Sequence, residues 1–259
     1  MKFLGREKII MKVQSALGLV ADGKDGPKTW NAIAEKLGIS IEEETPPVNN
    51  TNNDLSQEAL DLIINYEVGN KIYYNSYLKK PTYPGGASGV TIGIGYDLGY
   101  NSREQFEKDW KRLLDANTFN KLVGCLGLKS AAAKNKINSL SNISIPWTSA
   151  LEVFVKSTLP RFISLTQKAF PGYEKLCPDA FGALVSIVFN RGSSLSGSSR
   201  TEMLDIHKAL KGEIKVDDIH EYIASKVISM KRIWVGKKLD GLLRRREAEA
   251  NLIRSCSKK

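Results

Sequence analysis

The chain has 259 residues, of which 42% are hydrophobic and 25% are charged; this is the balance of a soluble globular protein and excludes a disordered or fibrous one. Its formal net charge of +10 favours polyanionic partners (nucleic acid, an anionic membrane or the anionic bacterial envelope) without choosing among them. No apolar run is long enough to span a bilayer, and the opening "MKFLGREKIIMKVQ" lacks the apolar core of a secretory signal. We therefore expect synthesis in a cytoplasm without an encoded export route.

The first predicted element is a helix near the N-terminus. Trp30, Ile33, Ala34 and Leu37 follow the i, i+3, i+4, i+7 spacing of one helix face. Pro27, which follows the turn-like "DGKDG", is well placed to open this helix.

A break in composition divides the chain. The stretch "EETPPVNNTNND" at 43–54 contains two prolines and four asparagines, which is typical of a linker. It separates a small N-terminal domain at 1–42 from a larger domain at 55–259.

The larger domain is predicted to be mostly helical, with a small β element. Capping-box spacing marks two helix starts, at Asp54 with Gln57 and at Ser102 with Gln105. Strand-like residues are confined to 72–96, so the fold class is α+β, predominantly helical. The predicted helices are Ser56–Glu67, Ser102–Asp115, Ser149–Lys168, Asp179–Asn190, Glu202–Leu210, Asp217–Met230 and Leu239–Arg254.

A carboxylate closes the apolar face of the first helix in this domain. Leu60, Ile63, Ile64 and Glu67 share one stripe, so Glu67 should lose hydration, which raises the pKa of a carboxyl group. Glycoside hydrolysis needs such a protonated carboxylic acid as its general acid. The alternative is a glutamate at the rim of the core, paired with a lysine.

The glycine-rich stretch "GGASGVTIGIGYDLGY" at 85–100 supplies a second candidate site. In an extended chain Thr91, Gly93, Gly95 and Asp97 would share one face, because side chains alternate. That bare face, framed by a hydroxyl and a carboxylate, suits a sugar chain. A straight strand would separate Thr91 from Asp97 by about 20 Å, so both can serve one site only if the chain bends at the two glycines.

Four motifs in order resemble the phage-type lysozymes, which are muramidases that cut peptidoglycan. They are "NYEVG" at 65–69, "GVTIGIGYDLG" at 89–99, "FGALVSIVFNRG" at 181–192 and "GLLRRREAEANLI" at 241–253. The resemblance covers roughly 55–254 and implies a lysozyme-like domain. Separately, "VQSALGLVADGKDGPKTWNAIAEKLG" resembles the small three-helix peptidoglycan-binding domain often attached to such enzymes.

The sequence departs from the commoner phage-lysozyme pattern in its acidic residues. Those enzymes have an aspartate between the catalytic glutamate and the threonine, whereas 68–90 contains no acidic residue here. The arrangement is similar to the pesticin-type branch. That resemblance implies that Glu67 is the acid and that Thr91 and Asp97 handle the attacking water. Asp97 could instead cap the chain's return toward the helix that starts at Ser102.

Two residues later in the chain are candidates for substrate binding. Asn190 and Arg191 end a predicted helix, with Gly192 as its C-cap, so they either line the cleft or serve as structural caps. Arg246 lies on an apolar stripe and should form an internal ion pair, while the run from Arg244 onward is otherwise a solvated or anion-facing surface.

Cysteines and histidines are few. Cys125, Cys177 and Cys256 are odd in number and widely spaced, so we predict no disulfide framework. His207 and His220 are the only histidines, fewer than a zinc amidase or peptidase generally uses, and we expect no metal and no other cofactor. A Cys–His peptidase built on Cys177 has no supporting local signature.

The leading hypothesis is a modular phage endolysin that hydrolyses the β-1,4 bond between N-acetylmuramic acid and N-acetylglucosamine, with inversion. We expect a monomer that binds peptidoglycan and not nucleic acid, is attracted to the anionic envelope, and reaches the periplasm after release from the host cytoplasm. The alternatives are a lytic transglycosylase acting on the same bond and a non-catalytic wall- or nucleic-acid-binding protein.

Overall fold

The computed structural model of the chain describes residues 5–21, 23, 27–39, 55–69, 71–237 and 239–258. Over these residues the fold is predominantly helical with one two-stranded antiparallel sheet, which confirms the predicted fold class. The predicted linker at 43–54 and the predicted cap Asp54 lie outside the described residues. No helix within the described ranges is both long and apolar enough to cross a membrane.

Thirteen α-helices occur in the described part of the chain. In order they are α1 (Arg6–Ala16), α2 (Pro27–Lys36), α3 (Gln57–Glu67), α4 (Lys71–Tyr73), α5 (Arg103–Trp110), α6 (Ala116–Val123), α7 (Ser130–Lys136), α8 (Trp147–Val153), α9 (Leu159–Ala169), α10 (Pro178–Arg191), α11 (Thr201–Leu210), α12 (Ile219–Ser229) and α13 (Asp240–Arg254). The strands β1 (Thr91–Ile92) and β2 (Tyr96–Asp97) pair with each other. Single π-helical turns at Tyr74–Leu78 and Phe154–Thr158 continue α4 and join α8 to α9.

The chain forms two compact units. The first unit comprises Met1–Thr45 and Glu67–Ser157, and the second comprises Pro46–Tyr66 and Thr158–Lys259. The chain passes from the second unit into the first at the last residue of α3. The predicted domain boundaries stay a prediction, because the linker that would define them is not described.

Most predicted helices are observed close to their predicted ends. Those that begin and end within two residues of the prediction are α3, α10, α11, α12 and α13. The predicted helix at 102–115 instead stops at Trp110, and its predicted last residue, Asp115, caps the next helix, α6, by accepting a hydrogen bond from the N–H of Thr118. The helices α6 and α7 were not predicted, since each has only about two turns and apolar periodicity needs a longer window.

The predicted strand region at 72–96 is wrong over most of its length. Its start is helical, as α4 and the following π turn, and only two short strands remain. Tyr74 explains the helical start. Its side chain is fully buried, its hydroxyl donates a hydrogen bond to the Ile145 carbonyl at 3.1 Å, and its ring meets that of Trp147 at 5.2 Å. These long-range contacts outweigh the β propensity of the local tyrosines and isoleucine.

The second unit has a continuous apolar core formed by α9 to α13. The helix α3 approaches α10 closely, since a Cβ added at Gly182 would lie 2.2 Å from the Cβ of Ala59. Glycine is therefore required at that crossing. Leu60, Ile63 and Ile64 are buried, which confirms the predicted apolar stripe.

The prediction of no disulfide is wrong. Cys177 and Cys256 are bonded, 79 residues apart in sequence, whereas Cys125 is buried and free. Spacing along the chain carried no signal, because the fold brings the start of α10 beside the short 3₁₀ turn Ser255–Lys258 that follows α13.

Two helices lie in the described N-terminal residues. Pro27 opens α2 as predicted, and the side-chain amide of Gln14 in α1 donates a hydrogen bond to the hydroxyl of Thr29 at 3.0 Å. Ala34 is buried but Leu37, just beyond the helix, is exposed, so the apolar stripe is shorter than predicted.

Candidate functional site

The glycine-rich stretch forms a hairpin that brings Thr91 and Asp97 together. The strands β1 and β2 are antiparallel, with Thr91 directly opposite Asp97. The chain reverses at Gly93 and Gly95, whose φ angles of 57° and 69° lie in the left-handed region that favours glycine. The chain therefore bends between Thr91 and Asp97, as a site that uses both residues requires. The long separation of these two residues that a straight strand would impose does not occur.

A third chain segment extends the polar face of the hairpin. Thr91 exchanges two backbone hydrogen bonds with Thr82, at 2.8 and 2.9 Å. Its backbone groups are thus turned away from β2, so Thr91 and Asp97 form the non-hydrogen-bonded kind of pair, in which side chains lie closest. Directly paired residues share a face, which gives a row of three half-buried polar side chains, Thr82, Thr91 and Asp97. The sequence carried no signal for Thr82.

Backbone donors hold the carboxylate of Asp97. Its Oδ1 accepts hydrogen bonds from the N–H groups of Gly89 at 3.0 Å and Gly99 at 2.8 Å, and its Oδ2 also lies 3.0 Å from the Gly89 nitrogen. Asp97 thereby caps the 3₁₀ turn Leu98–Tyr100. This agrees with the alternative expectation from the sequence, that Asp97 caps the chain on its way to the helix that follows Ser102. Oδ1 uses both of its acceptor positions on these bonds, whereas Oδ2 retains one.

Steric contacts explain two of the glycines. A Cβ at Gly89 would lie 2.3 Å from Oδ1 of Asp97 and 2.4 Å from the Gly99 nitrogen. Gly93 is buried, and a Cβ there would lie 3.1 Å from the Trp110 ring. The bare face expected from the sequence is therefore smaller than predicted, since Gly93 packs against the core while Gly95 is exposed.

The loop before β1 is fixed from outside. The Tyr100 hydroxyl donates to the Ala87 carbonyl at 2.9 Å, and the Ser130 N–H donates to the Ser88 carbonyl at 2.9 Å. The Lys129 ammonium lies 3.7 Å from the centre of the Tyr100 ring, a favourable cation–π contact. Contacts from outside the loop therefore hold the row of polar side chains in a fixed position. A fixed position is what a site needs if it is to orient a small molecule such as water.

The opposite face of the hairpin is anchored in the core of the first unit. Ile92, Ile94 and Tyr96 are buried, as the predicted alternation requires. The Tyr96 hydroxyl donates to Asp109 at 2.8 Å, and Asp109 also accepts from the side chain of Gln105 at 2.9 Å. The anchored face thus combines apolar packing with a satisfied polar network.

Glu67 is the last residue of α3 and the first of the main segment of the first unit. Its side chain is half-buried, beyond the three buried residues of the apolar stripe, as predicted. Gly69, with φ of 76°, follows the helix end in the left-handed conformation typical of a C-terminal cap.

The other two predicted site residues lie in the second unit. Asn190 and Arg191 end α10, and Gly192 follows as the predicted C-cap with φ of 76°. The Asn190 side-chain oxygen accepts a hydrogen bond from Nη2 of Arg246 at 3.3 Å, and the guanidinium of Arg191 lies 5.2 Å from the centre of the Trp234 ring. Burial, followed by the charges of neighbouring arginines, lowers the pKa of Arg191 to about 10.

A buried ionic cluster adjoins these residues. Nε of Arg246 lies 2.8 Å from Glu249, which confirms the predicted internal ion pair. Arg245 was expected at a solvated surface, but it is buried and donates to the Ser186 carbonyl at 3.0 Å and to Glu249 at 3.2 Å. Burial raises the pKa of Glu249, and the two arginines oppose that shift. No pattern in the sequence indicated a role for Ser186.

Two terminal guanidinium nitrogens of this region lack hydrogen-bond partners within the described residues. They are Nη1 of Arg191 and Nη1 of Arg246, both buried. Each guanidinium lies within 6 Å of the centre of the Trp234 ring, Arg191 at 5.2 Å and Arg246 at 5.7 Å. An anionic group would satisfy such donors and offset the like charges.

A cavity of about 630 Å³ in the first unit is lined by Tyr83, Lys134, Asn135, Ile137 and Asn138. None of the predicted site residues lines this cavity. Tyr83 directly follows Thr82, and its hydroxyl donates to the Gly86 carbonyl at 2.7 Å, so the cavity adjoins the braced loop.

Residues 64–158 match a family described as a domain of unknown function, DUF8812. The match nearly coincides with the main segment of the first unit, Glu67–Ser157. It includes Glu67, Thr91 and Asp97 and excludes Asn190 and Arg191. No curated protein matches the chain.

Proposed function

We propose that the chain is a glycoside hydrolase that cleaves the β-1,4 bond between N-acetylmuramic acid and N-acetylglucosamine in bacterial peptidoglycan. This is the activity that the resemblance to phage-type lysozymes implies. The observation that carries the proposal is the cross-strand pairing of Thr91 with Asp97 on a braced hairpin. The sequence alone required a bend there for the two residues to act together.

In the proposed mechanism Glu67 donates a proton to the glycosidic oxygen as its bond to the muramic C1 breaks. A water held by the Thr91 hydroxyl and the remaining acceptor position of Asp97 Oδ2 attacks C1 from the opposite face and gives its proton to the Asp97 carboxylate. Since a hydroxyl beside a carboxylate is better suited to holding a water than to forming a covalent glycosyl intermediate, the proposed reaction is a single displacement with inversion.

Asn190 and Arg191 are the proposed substrate-binding residues. The peptide stems of peptidoglycan carry carboxylates, and the guanidinium of Arg191, whose side chain is half-buried at the end of α10, is suited to bind an anion of that kind. The N-terminal segment, by its own resemblance, is proposed to bind the wall. The net charge is then explained by attraction to the anionic envelope rather than to nucleic acid.

One observation favours the transglycosylase alternative. Asp97 already serves as a cap, with three contacts to backbone N–H groups. A lytic transglycosylase needs a single acid and no residue that activates water, so a wholly structural Asp97 would fit that reaction.

The substitution Glu67→Gln tests the acid. It keeps the side-chain shape and removes the donatable proton, so we expect the release of reducing ends from purified sacculi to fall about 10²–10⁴-fold. The matched control is Glu58→Gln, at an exposed position in the first turn of the same helix, which should leave the rate unchanged. Near-wild-type hydrolysis by Glu67→Gln, with unchanged thermal unfolding, would remove Glu67 from the mechanism.

Product analysis separates the three candidate functions. Hydrolysis with inversion gives the α anomer first, which NMR detects before mutarotation, and a β product would refute inversion. Products that end in 1,6-anhydro sugars, identified by mass spectrometry, would establish the transglycosylase instead. Sacculi that are bound but yield no soluble fragments would indicate a binding protein.

A further inference from the structure

Three potential metal ligands from distant parts of the sequence meet in the second unit. Cys177 is the N-cap residue of α10, His220 is the second residue of α12, and Cys256 lies in the 3₁₀ turn after α13. The two sulfur atoms and a ring nitrogen of His220 all lie within 4.8 Å of one another. All three side chains are half-buried, so the group is sheltered yet open to small solutes.

The ring of His220 has an unused polar atom. Its Nε2 is buried and has no hydrogen-bond partner within the described residues. The nearby carboxylate of Asp218 is bonded to the backbone N–H of His220 at 2.9 Å, and not to the ring. A buried polar atom left without a hydrogen-bond partner destabilises the folded protein, so a ligand that binds this nitrogen would remove that destabilisation.

Two thiolates and an imidazole form a ligand set that suits zinc. Zn²⁺ binds cysteine sulfur at about 2.3 Å and histidine nitrogen at about 2.0–2.1 Å, so ligand atoms around one ion lie roughly 3.5–3.8 Å apart. The Cα atoms of Cys177 and Cys256 are 6.2 Å apart, and rotation of the side chains can open the sulfurs to that separation.

We propose that the reduced protein binds one Zn²⁺ through Cys177, Cys256 and His220, with water as the fourth ligand. A dithiol reductant supplies two electrons and two protons to open the disulfide. The metal then displaces the two thiol protons, which leave to solvent. The disulfide and the zinc site are thus alternative states of one place in the fold. This inference does not depend on the proposed glycosidase activity, and it replaces the sequence-based expectation of no metal.

Cobalt provides the direct test, because tetrahedral Co²⁺–thiolate sites absorb in the near-ultraviolet and visible. The full chain, reduced with a phosphine that is then removed anaerobically, is titrated with Co²⁺ and back-titrated with Zn²⁺. We expect one equivalent of Co²⁺ to bind with thiolate-to-metal absorption and Zn²⁺ to displace it. Air-oxidised protein should give no such absorption.

Variants identify the ligands. Loss of an outer-sphere partner typically weakens metal binding 10–100-fold, so His220→Ala, which removes a direct ligand, should weaken it at least about tenfold. Cys177→Ser removes one of the two thiolates, so it should weaken both the binding and the thiolate-to-metal absorption. Cys125→Ser is the control, since Cys125 lies in the first unit, and it should bind like the wild type. If Cys177→Ser does not fold, Cys256→Ser, near the chain end, makes the same test.

Thermal unfolding gives a second readout. A ligand that binds only the folded state raises its stability, so Zn²⁺ should raise the unfolding temperature of the reduced wild type and of Cys125→Ser more than that of His220→Ala. The proposal is overturned if the reduced wild type shows no cobalt–thiolate absorption, if His220→Ala binds as tightly as the wild type, or if the oxidised protein binds equally well.

Discussion

Two carboxylates of this protein are each held by several hydrogen-bond donors, but the donors differ in kind. Asp97, on the hairpin, is half-buried and accepts from the backbone N–H groups of Gly89 and Gly99. Glu249, in the second unit, is fully buried and contacts the side chains of Ser186, Arg245 and Arg246. Neutral and local donors surround the first carboxylate, and charged or distant donors surround the second.

The difference shows how each carboxylate contributes to the protein. Backbone donors are fixed by the chain itself, so Asp97 braces a turn at little desolvation cost and stays open on one side. Glu249 and its arginines must leave water together, and their attraction compensates only if every partner is present. The first arrangement suits a site that must receive a ligand, whereas the second suits the interior of a fold.

The largest effect should come from Glu249→Gln. The substitution leaves two buried arginines without their counter-charge, and breaking a buried pair in this way costs about 3–5 kcal/mol. Denaturant unfolding measures the loss. The control is Glu247→Gln, because Glu247 is exposed and pairs with Lys231 at the surface, where such pairs contribute about 0.2–1 kcal/mol. Equal losses of unfolding free energy for the two variants would show that the buried carboxylate contributes no more to stability than the exposed one.

An intermediate effect is expected for Gly89→Ala. The added methyl group would overlap the Asp97 carboxylate and the Gly99 backbone, and overpacking of this kind costs about 1–3 kcal/mol. Gly241→Ala in α13 is the control, since a Cβ there meets open space and alanine favours helix by about 0.8–1.0 kcal/mol. Chemical denaturation should show that the free energy of unfolding falls for Gly89→Ala and rises for Gly241→Ala. An unchanged free energy for Gly89→Ala would show that the hairpin can shift to accommodate the methyl group.

The smallest effect on stability should follow Asp97→Asn. The amide oxygen still accepts from backbone N–H groups, but hydrogen bonds to a charged acceptor are stronger than neutral ones by about 1 kcal/mol. The free energy of unfolding should fall by about that amount. The rate of sacculus hydrolysis at a temperature where the variant is folded then separates the two roles of Asp97. A rate equal to the wild type would make Asp97 a structural residue only and would favour the transglycosylase.

Local features of the fold were predictable from the sequence, and contacts between distant residues were not. The Ser102 cap, which accepts from the Gln105 N–H at 3.1 Å, and the stripe of α3 depend on residues three or four apart. The same holds for Gly192 at the end of α10. Within the candidate site, the glycines indicated a bend, and the bend placed Asp97 opposite Thr91.

The remaining features depend on chain segments that meet only in the folded protein. Thr82 pairs with Thr91 across a loop whose path no local pattern specifies. Arg245 looks like a surface residue in the run of three arginines, yet Ser186, 59 residues earlier, gives it a buried partner. The bond between Cys177 and Cys256 is hidden in the same way, because the spacing of two cysteines says nothing about helices that bring them together.

The close crossing of α3 and α10 has a consequence for synthesis on the ribosome. Ala59 meets Gly182, a residue made about 120 residues later, which takes roughly ten seconds at 5–20 residues per second. During that interval the apolar stripe of α3 has been made but its partner helix has not. The hairpin from Thr91 to Asp97 packs against Trp110 and Ala150, which are made well before Gly182, so its contacts can be complete earlier. The nascent chain therefore exposes Leu60, Ile63 and Ile64 for longer than any part of the hairpin, and a chaperone that binds apolar segments would engage the chain there.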